Sequence, residues 1–130
     1  MTGRRVVLVV NAVTALVTLA FSAVVLVEPG IGLPAGVDVT AGAALYSGAT
    51  ALRSIALAVV LLVALARARA QLVPLLVVAG LTQLADAGLH MAYGAPALAA
   101  CALVLAAVPF GSLRVASGIR DDARSVDVGA

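Results

Sequence analysis

The chain has 130 residues, 64% hydrophobic and 11% charged, with a formal net charge of +2. A soluble domain of this size is about half apolar and about a quarter charged, so the composition excludes an ordinary water-soluble domain and indicates one membrane-embedded unit in a lipid bilayer. Every basic residue is arginine, and all but Arg53 lie outside the apolar runs, which disfavours a nucleic-acid partner.

The first apolar run is Val6–Val27, without a charge. A crossing helix needs about 20 apolar residues, and this run suffices. Arg4-Arg5 before it and Ala20-Phe21-Ser22 within it also resemble parts of a secretory leader. The length of the run and the Glu28-Pro29 exit favour a retained span instead. The segment 28–40 is rich in glycine and proline and reads as a loop over one mouth of the bundle.

The second run, Ala41–Ala66, is interrupted by Arg53. A short connection at 67–71 leads to the third, Leu72–Ala92, which carries Gln83, Asp86 and His90. A tight turn at Tyr93-Gly94-Ala95-Pro96 leads to the fourth, Ala95–Leu113. Residues 1–113 thus form an all-α, four-transmembrane-helix antiparallel bundle, and residues 114–130 form a polar tail expected to be disordered. Short links also predict that consecutive helices pack side by side.

Arginines cluster before the first span (Arg4, Arg5), between the second and third (Arg67, Arg69) and after the fourth (Arg114, Arg120, Arg124). Arginine-rich ends face the cytoplasm, so the expected topology is N-in/C-in, multi-pass, in the plasma membrane.

Residues three and four apart share a helix face. Asn11, Thr14, Thr18 and Ser22 form one polar stripe; Tyr46, Thr50 and Arg53 form a second; Gln83, Asp86 and His90 form a third. The fourth helix carries no stripe, only Cys101 and the terminal Ser112, and the simplest packing turns the three stripes together and leaves it as an apolar wall.

A charge at a helix centre in hydrocarbon costs roughly 2.5–3.5 kcal/mol on insertion scales. Opposite charges on consecutive spans therefore suggest that Arg53 and Asp86 pair. Side chains lean towards a helix N-terminus, so in antiparallel helices these two lean together, and a bidentate contact is expected.

That cluster suggests a polar pocket in the outer half of the membrane, closed below by apolar residues. It suits a lipophilic small molecule with a polar head: a quinone, an isoprenoid, a polyketide or a sterol-like molecule. Arg53 would hold a carbonyl, enolate or carboxylate. Asp86 and His90 would relay a proton. Tyr46, Thr50, Gln83, Thr18 and Ser22 would line the binding site. Isomerisation, cyclisation and cofactor-independent oxidation all fit such a constellation; so does proton-coupled quinone reduction with a redox partner, the one case that involves a quinone cofactor.

Each residue also has a plainer role. A buried ion pair can fix helix register. A serine–threonine stripe can be helix packing. Tyr46, Tyr93 and His90 can be interfacial residues. The single cysteine, Cys101, is a small apolar filler and excludes an intramolecular disulfide, a CxxC motif and a cysteine metal cluster. One histidine excludes the usual multi-histidine haem or zinc site.

Leu45-Tyr46-Ser47-Gly48 leading to Arg53, and Leu81-Thr82-Gln83-Leu84-Ala85-Asp86-Ala87-Gly88 leading to His90, resemble the DoxX-like group of small four-helix membrane proteins. The resemblance covers about residues 6–113. In that group an arginine on the second helix and an acid on the third recur. The resemblance implies a different role: a non-catalytic accessory or anchor subunit of a membrane redox complex, with a redox partner protein or a second copy beside it. Lack of a cysteine pair argues against direct thiol or sulfur chemistry. In architecture alone the chain also looks like small four-span membrane oxygenases and cyclases.

Overall fold

The structure, a computed structural model, describes the backbone of residues 2–67 and 69–128 and the side chains of residue 3, residues 5–67 and residues 70–117. The side chains of Arg4, Arg69, Arg120 and Arg124, on which the expected orientation partly rests, lie outside the described residues. Among the described residues there are four α-helices, two short 3-10 segments and no strand: α1 Thr2–Val27, a 3-10 turn Pro29–Gly32, α2 Ala41–Ala66, a 3-10 turn Arg69–Gln71, α3 Leu72–Ala92 and α4 Pro96–Val128.

Local chemistry sets several of these ends. Thr40 caps α2, its Oγ1 accepting from the Ala43 N–H at 3.2 Å, as an N-cap hydroxyl should. At the end of α3, Gly94 adopts φ 70°, the Gly94 N–H donates to the Met91 carbonyl and the Ala95 N–H to that of His90. This is a Schellman stop, which needs a residue tolerant of the left-handed conformation. Pro96 then opens α4, where its missing N–H costs nothing. Pro74 likewise falls in the first turn of α3.

The fourth helix departs from expectation. It does not end at Leu113 but continues through Val128, replacing the unstructured tail with helix. The 33-residue element has no glycine stop near Leu113, and Gly111 and Gly118 lie within it.

The helices pack as two close hairpins, α1–α2 and α3–α4, joined along α1–α4. The diagonal pairs do not approach each other. Although the α2–α3 connection is short, those two helices make the least contact of the four adjacent pairs, contrary to the expectation that they would pack side by side. The turn holds them together at one end, where Ala15, Ala58, Leu61, Ala64, Leu72, Leu76 and Ala116 form the core. Alanine at four of these seven positions allows close backbone approach, the usual basis of helix association in lipid. Beyond that, α2 and α3 make little contact with each other.

Large apolar side chains cover the outside. Val9, Val13, Leu16, Val17 and Phe21 on α1, Leu52, Val59 and Val63 on α2, and Leu103 and Val104 on α4 are all exposed. All four helices contain stretches long and apolar enough to cross a membrane, with mean hydropathy from 1.7 to 2.3. An apolar surface on every helix would aggregate in water; in lipid it is solvated, and helical geometry satisfies the backbone within each span except opposite Pro109. The protein is an integral, multi-pass membrane protein.

Candidate functional site

The polar residues divide between two places: a cavity at the bundle centre and an ion pair between α2 and α3.

The cavity has a volume of about 50 Å³ and is walled by all four helices. α1 supplies Asn11, Thr14 and Thr18, α2 supplies Ser54, and α3 supplies Thr82 and Gln83. Leu105 and Pro109 of α4 complete it. The spacing of Asn11, Thr14 and Thr18 puts them on one face, and that face points inward.

The pair lies beside it. Nη2 of Arg53 donates to Oδ1 of Asp86 at 2.5 Å. It is a single hydrogen bond, not the bidentate pair expected. The Arg53 side chain remains 46% exposed, while that of Asp86 is 13% exposed. The helical wheel explains the asymmetry. On α2 the cavity face is Ser54, Leu57, Ala58 and Leu61, and Arg53 falls about 100° around from Ser54. On α3, Ala79, Thr82 and Gln83 face the cavity, and Asp86 continues that face one turn on. The long arginine stem reaches across to α3 to meet it.

This cavity therefore takes in only part of the expected site. Thr18 and Gln83 line the cavity; Arg53, Asp86, His90, Tyr46, Thr50 and Ser22 do not. Tyr46 is half exposed on the outer surface of α2. Thr50 is partly buried and Ser22 is buried. His90 is partly buried one turn beyond Asp86, and among the described residues no hydrogen bond or ion pair joins its imidazole to that carboxylate. A direct His90–Asp86 proton relay is thus absent from this geometry.

Two contributions were not foreseen. Asn11, 2% exposed, donates through Nδ2 to the Val7 carbonyl at 2.9 Å and to Ser112 Oγ of α4 at 2.7 Å. Ser112, 5% exposed, donates its own hydroxyl hydrogen bond to the Val108 carbonyl at 2.7 Å. The fourth helix is thus not an inert apolar wall. Its second contribution is Pro109, buried inside the helix and facing the cavity. A proline preceding a serine by three residues within an apolar span was the available signal.

Over the mouth between α1 and α2, Ser47 donates to the Pro29 carbonyl at 3.0 Å. Gly32 sits so close that a Cβ there would come within 2.9 Å of Val25. The loop is fastened to the ends of α1 and α2.

No family model matches the chain, and no curated protein or solved structure matches it.

Proposed function

We propose that this protein binds a lipophilic small molecule with a polar, electron-rich head group, entering from the membrane between α2 and α3 in the outer half of the bilayer. The observation that carries this reading is the state of Arg53. Its guanidinium has five N–H donors, and Asp86 engages one nitrogen. The side chain stays 46% exposed in a helix that is otherwise apolar. Unpaired guanidinium donors at membrane depth are costly, and a carbonyl, enolate or carboxylate on an apolar body would satisfy them. The head group is then held by charge-assisted hydrogen bonds, and its tail lies against the exposed apolar faces of α2 and α3.

A chemical step is compatible with this placement. Asp86, held at the guanidinium, stands where it can take a proton from an acidic C–H beside the bound carbonyl while Arg53 stabilises the enolate. Isomerisation or cyclisation follows this pattern without a cofactor. The central cavity, about 50 Å³, is smaller than an apolar cavity that holds benzene, roughly 150 Å³, and its wall includes neither Arg53 nor Asp86. The ligand therefore belongs in the cleft between α2 and α3.

The second reading is an accessory subunit of a membrane redox complex, as the DoxX-like resemblance suggests. The same half-exposed Arg53 side chain favours it, because a partner helix bearing a carboxylate could cover Arg53 as well as a ligand.

Photolabelling separates the two. A diazirine-tagged long-chain fatty acid and a diazirine-tagged short-tailed quinone are offered to the purified protein in nanodiscs. The ligand reading predicts saturable labelling of α2 and α3 peptides by at least one probe, lost in Arg53→Leu. Unsaturable labelling, equal in wild type and variant, contradicts it.

A further inference from the structure

We infer that the central cavity is a hydrated chamber that holds a small cluster of water molecules inside the membrane-embedded bundle. The inference is independent of the ligand reading, because the cavity wall includes neither Arg53 nor Asp86.

The wall has more hydrogen-bonding capacity than the protein uses. Serine and threonine in an apolar helix usually bond to the carbonyl one turn back, and two residues here do so: Thr82 to Val78 at 2.9 Å and Ser112 to Val108 at 2.7 Å. Thr14, Thr18 and Ser54 have no such bond among the described residues, and the Gln83 amide has no protein partner there either. Both hydrogen bonds of Asn11 leave through Nδ2, so its carbonyl oxygen accepts nothing among the described residues. Pro109 adds a second, independent reason. It has no N–H, so the Leu105 carbonyl loses its donor one turn on. Leu105 and Pro109 both face the cavity.

The guest must therefore both donate and accept. It must reach acceptors on α1 and α4 and hydroxyl or amide groups on α1, α2 and α3. It must also fit about 50 Å³. A buried water needs about 10–15 Å³ of such space and two to four polar partners, so the chamber has room for about three to five waters. Proline in a membrane helix is tolerated where waters or neighbouring groups satisfy the freed carbonyl, which is the arrangement here.

The test is solid-state NMR of the isotopically labelled full chain in lipid bilayers, reading magnetisation transfer from water to assigned side chains. Thr14 and Thr18 face the chamber, whereas Val13 and Val17, one residue earlier in each case, face outward. Depth in the membrane is thus matched within each pair. Hydration predicts transfer to Thr14 and Thr18 about twofold or more above that to Val13 and Val17, and reduced transfer in Gln83→Leu. Equal transfer within both pairs overturns the inference. A melting experiment gives an independent sign: with waters bound, Thr18→Val removes one of their partners and lowers the melting temperature. A raised melting temperature means a dry wall and overturns the inference as well.

Discussion

Asn11 of α1 and Ser112 of α4 are joined by a 2.7 Å hydrogen bond between two side chains that are almost wholly buried, 101 residues apart in sequence. That bond ties the first hairpin to the second where the helices otherwise meet through alanine and leucine. Asn11 also lines the central cavity. Ser112→Ala should leave an Asn11 donor unsatisfied and destabilise the bundle by about 0.5–2 kcal/mol, the range of interhelical hydrogen bonds in membrane proteins. Unfolding in mixed micelles measures it. An unchanged midpoint would mean that the bond contributes nothing to association.

Arg53 and Asp86 should behave as a coupled pair. Removing one partner strands the other charge in an apolar surface. Arg53→Leu or Asp86→Leu alone should therefore cost about 2–3 kcal/mol, and the double variant less than the sum. A double-mutant cycle reads the coupling directly. Strict additivity would show that the 2.5 Å contact carries no net interaction.

Gly80 faces Phe110 across the α3–α4 contact, and a Cβ at residue 80 would fall 2.7 Å from the ring. Gly80→Ala should force the ring to shift and cost about 1–3 kcal/mol, as overpacking does. Phe110→Leu in the same chain should recover part of the loss. Thermal denaturation of the single and double variants decides it. No loss in the single variant would mean that the ring moves freely and the α3–α4 contact is loose.

The expected topology is testable at two loops. In a Cys101→Ser background, a single cysteine at Asp38 should react with an impermeant maleimide on intact cells, and one at Ala70 only after lysis. The reverse pattern would invert the N-in/C-in orientation argued from the arginines. No surface labelling at either site, with both reactive after lysis, would place the protein in an internal membrane.

The helices were legible because lipid imposes one dominant rule. Apolar runs must be long enough to cross, and the ends of α2 and α3 coincide with the composition breaks at Thr40, Arg67 and Tyr93. The inward face of α1 was also legible, since Asn11, Thr14 and Thr18 keep helical spacing. The arrangement of the helices around the centre was not. Sequence spacing fixes which residues share a face on one helix, yet it does not fix how far apart two helices stand. Arg53 sits about 100° from Ser54, and the sparse contact between α2 and α3 leaves room for its side chain. Merging three stripes into one pocket assumed equal packing on all sides. The extent of α4 was misjudged for a different reason. Polarity after Leu113 ends a membrane span but does not end a helix. Pro109 is invisible to hydropathy, which treats it as one more apolar position, although its missing N–H changes what the cavity wall can bind.

Native mass spectrometry of the protein released from its own membranes tests the central claim most directly. A lipophilic molecule held at Arg53 predicts a discrete added mass on the wild-type chain, absent from Arg53→Leu and restored at least in part by Arg53→Lys. A bare wild-type mass, or an adduct kept undiminished in Arg53→Leu, would contradict a ligand site at that guanidinium.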